Sequence, residues 1–333
     1  MRRLLSAAVL VAGLAVALVG CPEGNVDSVK YPDAWWLAGE DAGRADAALV
    51  PTDASVWIAV PPPSAMPSSR LNAIAANGST MLAVGDNGSA ISYDPSKPEW
   101  TKGNSTVSAQ LNAVANVSAI DWWIVGSSKT VLRWDGSSFT QATLPGATSP
   151  DLKAVAASAS QVFVAGAGGA RFLYDVGTTT WTDQVLGAAT TADITGLWYS
   201  GTTFFEVDAL GGVYKYDAAG WRSETSLASK LLGIWGTSDA DYWIVGDKAV
   251  WHYTGGFDNV TPADSATWNA VWGNGSGEVW IGSKEQGLLK WNGLAWERTS
   301  GFSLAGKDLF GIGGSSQVGT WSVGDGVLQQ LVP

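Results

Sequence analysis

The feature that most constrains this chain is a segment of about 40 residues that recurs seven times. The first copy begins with a short apolar marker, Leu-Asn-Ala-Ile, at residues 71–74. Equivalent markers start at Leu111, Leu152, Ile194, Leu231, Trp268 and Leu309, at successive spacings of 40, 41, 42, 37, 37 and 41 residues. A period near 40 residues is typical of propellers, solenoids and repeat arrays, so one supersecondary unit is repeated along most of the sequence.

Each copy contains four short runs of strand-forming residues separated by Gly, Asn, Asp and Ser. The stretch DWWIVGSSKTVLRWDG, residues 121–136, shows the second and third runs with a turn between them. The second run ends in a small pair, such as Val84-Gly85 in the first copy and Ile281-Gly282 in the sixth. These runs lack the 3.6-residue periodicity of helical repeats. Four strands per copy predict the blades of an all-β propeller, which the 41 glycines and 19 tryptophans suit.

The seventh copy predicts how the ring closes. It begins at Leu309 and stops after three strands at Pro333, so its fourth strand is missing from the C-terminus. A spare strand signal, SVWIAV at residues 55–60, stands before the first copy. We therefore predict a seven-bladed β-propeller over residues 55–333, in which residues 55–60 complete the last blade. Closure would protect sheet edges that otherwise template aggregation.

With its Val-Gly pairs and its third strands ending in Tyr-Asp or Trp-Asp, the repeat resembles the seven-bladed propellers of secreted Gram-negative lipoproteins. It resembles the photosystem-assembly type of propeller more loosely. The sequence lacks the Gly-His and regularly spaced Trp-Asp marks of WD40 repeats, and it lacks the Ser-x-Asp-x-Gly-x-x-Trp box of sialidase-like propellers. The resemblance covers about residues 55–333 and implies a fold without implying one activity.

The N-terminus reads as an export signal. Residues 1–20 begin Met-Arg-Arg and continue with an apolar run that is too short for a resident membrane helix. The run ends in Leu18-Val19-Gly20-Cys21, which resembles the bacterial lipobox and implies a diacylglyceryl group on Cys21, the only cysteine of the chain. The alternative is an ordinary secretory peptide followed by a chance cysteine. Pro22, in place of the Asp that favours inner-membrane retention, favours the outer membrane of the cell envelope.

Residues 21–54 are rich in Ala, Gly and acidic side chains, as in EDAGRADAA, and predict a solvated tether between the lipid and the folded domain. The Trp35-Trp36 pair inside this segment is unusual for a tether. It fits either the membrane interface or a contact with the folded domain, and the sequence does not choose between them.

Composition limits the chemistry that the chain can support. The formal net charge of −11 argues against a nucleic-acid partner, because an acidic surface repels phosphates. His252 is the only histidine, and it occupies a third-strand position held elsewhere by Arg133, Lys215 or Lys290, which indicates a solvated strand-face residue. One histidine and one cysteine do not make a histidine-rich or cysteine-based metal site. We predict no catalytic residue, metal or cofactor.

Two acidic residues depart from the repeat. In the stretch FFEVDALGG, Asp208 stands where other copies have the small Gly. Glu206 occupies a slot that holds an apolar residue, Ala83, Ile124, Val164 or Ile244, in copies 1, 2, 3 and 5. An acid in an apolar slot is unfavourable unless it is paired or near water. The interpretations are an internal Arg or Lys partner, a ligand contact, or a carboxylate pair for glycoside chemistry.

Aromatic and loop residues complete the candidate site. Trp198, Trp235 and Trp272 follow the marker in copies 4 to 6, where copies 1 to 3 have Ala, and indicate either core packing or a patch that stacks on sugar or peptide. In a propeller, the loops between second and third strands share a face with the blade-to-blade connections. We expect a ligand on that face, bound mainly by blades 4 to 6 through Asp208, Glu206, Trp198, Trp235, Trp272 and Asp247.

The sequence favours a membrane-anchored envelope lipoprotein that acts as a non-enzymatic binding or scaffolding propeller. The partner would be an envelope protein or a glycan, and the lipid on Cys21 would hold the protein at the membrane. The alternative function is a hydrolase or lyase that acts on glycan, since propellers carry both kinds of activity.

The anchor leads to a direct test. Changing Cys21 to Ser should abolish acylation and release the protein from membranes, because two acyl chains are needed for stable anchoring. Cell fractionation and labelling with a palmitate analogue measure the effect. A Cys21→Ser protein that stays with the membrane fraction would exclude the lipoprotein interpretation.

Overall fold

The computed structural model describes residues 55–332 except 65, 95, 185–190, 218–219, 265, 276, 284–285 and 300–306. The predicted signal peptide and tether, with Cys21 and the Trp35-Trp36 pair, lie outside the described residues. Within the described ranges, no helix has the length and apolarity needed to cross a membrane.

The strands of the described residues form seven antiparallel four-stranded sheets, one for each repeat. Strand β1 (Val56–Ala59) precedes the first repeat. Blades 1 and 2 are built from β2 (Leu71–Asn77), β3 (Thr80–Gly85), β4 (Ala90–Asp94), β5 (Glu99–Lys102), β6 (Leu111–Ser118), β7 (Asp121–Gly126), β8 (Thr130–Trp134) and β9 (Phe139–Gln141). Blades 3 and 4 are built from β10 (Leu152–Ala157), β11 (Gln161–Gly166), β12 (Arg171–Asp175), β13 (Thr180–Asp183), β14 (Ile194–Tyr199), β15 (Phe204–Asp208), β16 (Gly212–Asp217) and β17 (Gly220–Ser226).

Blades 5 and 6 are built from β18 (Leu231–Ser238), β19 (Asp241–Gly246), β20 (Ala249–Tyr253), β21 (Phe257–Asn259), β22 (Trp268–Gly273), β23 (Val279–Ser283), β24 (Gly287–Trp291) and β25 (Trp296–Arg298). Blade 7 contains β26 (Leu309–Ser315), β27 (Gly319–Gly324) and β28 (Val327–Val332). Its sheet order is β26-β27-β28-β1, so the N-terminal strand supplies the fourth strand. The predicted seven-bladed fold and its closure are therefore confirmed.

Closure is fixed by Trp57 as well as by the strand ladder. Strand β1 pairs antiparallel with β28, with Val56 opposite Val332 and Ala59 opposite Gln329. Trp57 is buried edge-on against Trp280 of blade 6, with ring centroids 5.6 Å apart, and its Nε1 donates to Thr299 Oγ1 at 3.1 Å. The inserted strand thus ties the seventh blade to the sixth.

A close backbone approach explains the small residue at the end of the second strand. In blade 1, Leu71 pairs with Gly85, and a register shift follows at once. A Cβ on Gly85 would lie 2.0 Å from the carbonyl oxygen of Arg70, so no larger residue fits that backbone. The assignment of Gly282 to this position in blade 6 is wrong: β23 runs one residue further, and Ser283 pairs with the marker residue Trp268.

The blades pack through aromatic side chains that recur in register. Trp123, on the second strand of blade 2, packs against Tyr174 and Trp181 of blade 3 at centroid distances of 4.8 and 5.6 Å. Trp243 of blade 5 meets Trp291 and Trp296 of blade 6 in the same way, at 5.3 and 5.5 Å. At both of these interfaces, an aromatic residue on the second strand of one blade packs against aromatic residues on the third and fourth strands of the next blade.

A second recurring contact runs around the axis, and we call it the forward latch. The second marker residue of a blade donates a side-chain hydrogen bond to the first marker carbonyl of the next blade. The latches are Asn72 to Leu111 (2.9 Å), Asn112 to Leu152 (2.7 Å), Thr195 to Leu231 (2.8 Å) and Asn269 to Leu309 (3.0 Å). In blade 3 the latch is ionic, because Lys153 Nζ lies 2.6 Å from Asp193 Oδ2. Lys153 and Gly168 also lower the pKa of Asp193.

The ring has two faces. The connection face carries the turns between second and third strands and the loops between blades, since Asp86 N donates to Arg70 O at 3.1 Å and Gly103 N donates to Ala90 O at 2.8 Å. The hairpin face carries the turns between first and second strands and between third and fourth strands. Residue Val56 begins β1 at the hairpin face, and Val60 leaves it at the connection face, where its N–H donates to Leu328 O.

The role of β1 can be measured. Deleting residues 55–60 should lower the free energy of unfolding by at least about 3 kcal/mol, because the burial of Trp57 and one whole strand ladder are lost. Urea denaturation of the mature protein gives the value, and deletion of residues 24–50 is the control that we expect to change little. Equal losses from the two deletions would contradict the closure by β1.

Candidate ligand-binding site

Glu206 is fully buried at the apolar slot that the sequence indicated, where Leu197 pairs with it across β14 and β15. Its carboxylate accepts two hydrogen bonds from the buried Arg171 of blade 3, from Nε at 2.8 Å and from Nη2 at 2.6 Å. Arg171 Nη1 donates in turn to Gly169 O at 2.8 Å. Burial raises the pKa of the Glu206 carboxyl, and Arg171 opposes that shift. The sequence analysis named an internal Arg or Lys as one possible partner of Glu206, and Arg171 is that partner.

The partner could have been found from the same repeat that singled out Glu206. Arg171 occupies a third-strand slot that faces Ala165 in β11. The equivalent residues of the other blades are all aliphatic: Ala90, Val131, Val213, Val250, Leu288 and Leu328. Arg171 and Glu206 form a bidentate pair across the interface of blades 3 and 4, a structural role that uses both oxygens of Glu206.

Asp208 is also buried, at the turn between β15 and β16 on the connection face. Its Oδ1 accepts from the N–H groups of Leu210 and Gly212, both at 2.8 Å, and Tyr214 donates its hydroxyl to Oδ2 at 3.0 Å. These bonds fix the turn, and the fixed turn holds Leu210 outward with 77% of its surface exposed. The residue exposed in this turn is therefore Leu210, and the hydrogen bonds of Asp208 fix its position. Leu210 was not predicted from the sequence.

The three tryptophans lie between blades as packing residues. Trp198 packs on Phe205 at 5.1 Å and on Tyr242 of blade 5 at 6.2 Å. Trp235 joins the cluster between blades 5 and 6, and Trp272 joins the cluster of Trp57 and Trp280. All three are partly buried, which matches the core-packing interpretation of their positions.

Strand register separates Trp198 from Asp208. Ile194 pairs with Asp208 at the connection-face end of β14, whereas Trp198 pairs with Phe205 near the hairpin-face turn. Four residues of strand span about 13 Å, since each adds about 3.3 Å. The expectation that one ligand site on the connection face combines the tryptophans with Asp208 is therefore wrong in its geometry, and their ligand roles stay predictions.

Asp247 lies on the connection face, in a two-residue turn with Lys248. Its Oδ1 accepts from Thr267 Oγ1 at 2.8 Å, which ties the turn to the connection before blade 6. Both Asp247 and Lys248 are exposed, and Lys248 adopts a φ of 54°. This turn keeps a charged pair at the rim, apart from Glu206 and the tryptophans.

The single histidine belongs to a repeated surface motif. His252 stacks on Trp243 with ring centroids 3.7 Å apart and planes within 10°, and its Nε2 lies 2.8 Å from Asp241 Oδ1. Arg133 lies over Trp123 in the same register and pairs with Asp121 at 2.7 Å, which raises the pKa of the arginine. His252 therefore takes a place that a cation fills in other blades, as the sequence indicated.

A cavity of about 270 Å³ runs along the axis, lined by three consecutive residues from each first strand. At its connection-face mouth the second marker residues form a ring that includes Lys153, Leu232 and Phe310. Arg70 lies over the Phe310 ring at 4.3 Å. Among the described residues, no group of three His, Cys, Asp or Glu side chains could hold a metal ion.

Comparison with protein-family models and with curated proteins finds no match for this sequence. Solved structures do match. "YCF48 bound to D1 peptide" is 16% identical with a TM-score of 0.70, over 86% of this chain and 100% of that chain. A second YCF48 structure, from Cyanidioschyzon merolae, is 16% identical with a TM-score of 0.66, over 82% of this chain and 98% of that chain.

Two further structures have other roles. A streptogramin B lyase is 13% identical with a TM-score of 0.70, over 84% of this chain and 97% of that chain. The extracellular domain of a hybrid two-component system from B. thetaiotaomicron is 12% identical with a TM-score of 0.66, over 83% of this chain and 39% of that chain. At such identities these similarities show the propeller fold alone.

The Arg171–Glu206 pair predicts a specific stability pattern. Arg171→Val or Glu206→Ile alone should lower the free energy of unfolding by about 3–5 kcal/mol, because each leaves an uncompensated buried charge. The double variant, which restores the aliphatic residues of other blades, should be close to the original protein. Arg133→Val, at an exposed pair, is the control and should cost less than about 1 kcal/mol. Additive losses in the double variant would show that the two charges are not coupled.

Proposed function

We propose that this protein is a lipid-anchored, non-enzymatic binding propeller of the cell envelope, which holds an exposed segment of a protein partner on its connection face. The observation that carries the proposal is the similarity over 86% of the chain to the structure of YCF48 bound to D1 peptide. The likeness to an extracellular domain is compatible with an envelope location. The lipobox at Leu18 to Cys21 supplies the anchor, and Pro22 favours the outer membrane.

The connection face offers a defined contact surface. Leu210 is a large apolar side chain held out of the surface by a turn that Asp208 orders, so little entropy is lost when a partner covers it. The rim of the axial cavity adds half-buried Phe310 beneath Arg70. The connection before blade 5 adds exposed Lys230 on the same face. Apolar contacts with adjacent cations suit an extended peptide segment that carries apolar and acidic residues.

Glycan cleavage, the alternative function, has less support from the carboxylates that the sequence singled out. Both oxygens of Glu206 accept from Arg171, and both oxygens of Asp208 accept hydrogen bonds that hold its own turn. A general acid or base must reach its substrate. Glu206 and Asp208 are instead buried, and their oxygens are already hydrogen-bonded within the protein.

Site-specific crosslinking tests the proposal. A photocrosslinking amino acid at position 210 in the full, membrane-bound protein should capture a protein partner in cells, and mass spectrometry should map the captured segment. The same probe at Ile120, which is 69% exposed on the hairpin face, is the matched control and should not capture that partner.

A synthetic peptide of the captured segment then gives an affinity. Leu210→Ser should weaken its binding at least tenfold in calorimetry, and Ile120→Ser should leave the affinity unchanged. Capture of the same partner equally from both positions, or equal affinity of both variants, would contradict a connection-face site.

A further inference from the structure

A second cavity opens on the hairpin face, between blades 3 and 4. Its volume is about 310 Å³, and its walls come from the β10–β11 hairpin of blade 3 and from the β14–β15 hairpin and the end of β16 in blade 4. That volume is at the lower end of the range for small-molecule sites in proteins. It lies at the opposite end of β14 from the turn that carries Leu210, so it is separate from the surface proposed for a protein partner.

One wall of the cavity is aromatic, and it departs from the repeat. Tyr199 lines the cavity with Phe204, and the two rings lie 4.6 Å apart. The Tyr199 hydroxyl donates to Gly201 O at 2.6 Å, which fixes the ring. At the same register position the other blades have only small residues: Ala76, Asn116, Ala157, Gly236, Gly273 and Gly314. Packing of the repeat therefore does not require a tyrosine here.

The opposite wall is made of neutral polar groups. Ser158, Ser160 and Gln161 of blade 3 line the cavity there, and Thr202 lines it beside Tyr199 in blade 4. Ser158 Oγ accepts from the Gln161 backbone N–H at 3.0 Å, which orders the hairpin and holds the Gln161 side chain at the cavity wall. Within the described part of the chain, the Gln161 side-chain amide makes no hydrogen bond of its own. An amide that both donates and accepts is therefore left for a ligand.

The two carboxylates near the cavity already have partners within the protein, one in an ion pair and one in hydrogen bonds with hydroxyl groups. Asp217 lines the cavity and pairs with Arg222 at 2.8 Å. Asp239 of blade 5 accepts from the hydroxyl groups of Thr202, Thr203 and Ser200. Partial burial favours a higher pKa for Asp239, but these hydroxyl bonds lower it overall. The site therefore offers neither a free cation nor a carboxylate without partners.

We propose that this cavity binds a pyranose sugar, either free or at the end of a glycan chain. A sugar ring has an apolar C–H face that packs on an aromatic side chain, and it has hydroxyl groups that both donate and accept hydrogen bonds. The cavity presents the matching pair of walls, with Tyr199 as the aromatic platform and Gln161 with Ser160 as hydrogen-bonding groups. Because Asp217, the charged residue of the lining, is paired with Arg222, a strongly charged ligand would lose hydration without gaining a counter-charge there.

The experiment uses the full mature protein, residues 21–333, in detergent. Saturation-transfer NMR with free glucose, galactose, mannose and N-acetylglucosamine at millimolar concentrations tests free sugars, and an array of immobilised glycans tests chain ends. At least one pyranose should bind with a dissociation constant in or below the millimolar range. Absence of binding in both arms overturns the proposal.

Variants locate the binding. Tyr199→Ala should fold normally, because blades 1 and 3 carry Ala at this position, and it should weaken sugar binding at least tenfold. Gln161→Ala should weaken it about tenfold, whereas Gln317→Ala, on the corresponding hairpin of blade 7, should have no effect. Sugar binding that is unchanged in both Tyr199→Ala and Gln161→Ala would overturn the assignment of the cavity. The connection-face crosslinks at Leu210 should be unaffected by these variants, so the two proposals fail independently.

Discussion

The contact on which the ring depends is the one between neighbouring first strands at the axis. There the forward latch joins a side chain of one blade to the backbone carbonyl of the next, as from Asn112 to Leu152 at 2.7 Å. The strands approach so closely that a Cβ on Gly311 would lie 3.1 Å from the Cα of Ala73. A hydrogen bond of this kind contributes about 0.5–1.5 kcal/mol, so its main effect is to fix the rotation between the blades that it joins. Blades 5 and 7 have Leu232 and Phe310 at the latch position, and these side chains have no hydrogen to donate. Once that rotation is fixed, seven blades close the ring.

The residues that repeat from blade to blade are sufficient for the blades to pack. A residue that departs from the repeat therefore needs an explanation other than packing. The departures concentrate in blade 4 and at its borders. Glu206 stands where most blades have an aliphatic residue, and Asp208 stands where most have Gly. Tyr199 stands where the other blades have Ala, Asn or Gly, and Arg171 of blade 3 pairs with Glu206. A buried ion pair is weak evidence for stability, since aliphatic residues of similar size often do as well or better. This pair joins blades 3 and 4 through hydrogen bonds that two aliphatic side chains could not make.

The sequence predicts the fold well because a propeller is encoded by repetition. The 40-residue period, the four runs per copy and the displaced strand around Trp57 each constrain the architecture independently, and all three are confirmed. The apolar slot of Glu206 was also placed correctly, because aligning the copies gives its register directly.

The site is harder to predict because it depends on which way side chains point and on which end of a strand they occupy. Trp198 and Asp208 belong to the same blade, but they lie at opposite ends of β14, so their shared departure from the repeat does not make a shared site. Leu210 and Tyr199 had weaker signals, since a lone apolar turn residue and a single aromatic residue are common in loops. Arg171 did carry a signal, but it appears only when charged residues are compared slot by slot across all blades.

The path of the chain relates the anchor to the two faces. Val56 begins β1 at the hairpin face, next to Val332, so the chain joins the ring on that face. Any segment that precedes Val56 therefore joins the ring on the face where the cavity between blades 3 and 4 opens. The connection face, with Leu210 and the mouth of the axial cavity, lies at the other end of β1. A partner protein and a sugar would accordingly bind on opposite faces of one rigid ring, and both sites could be occupied at once.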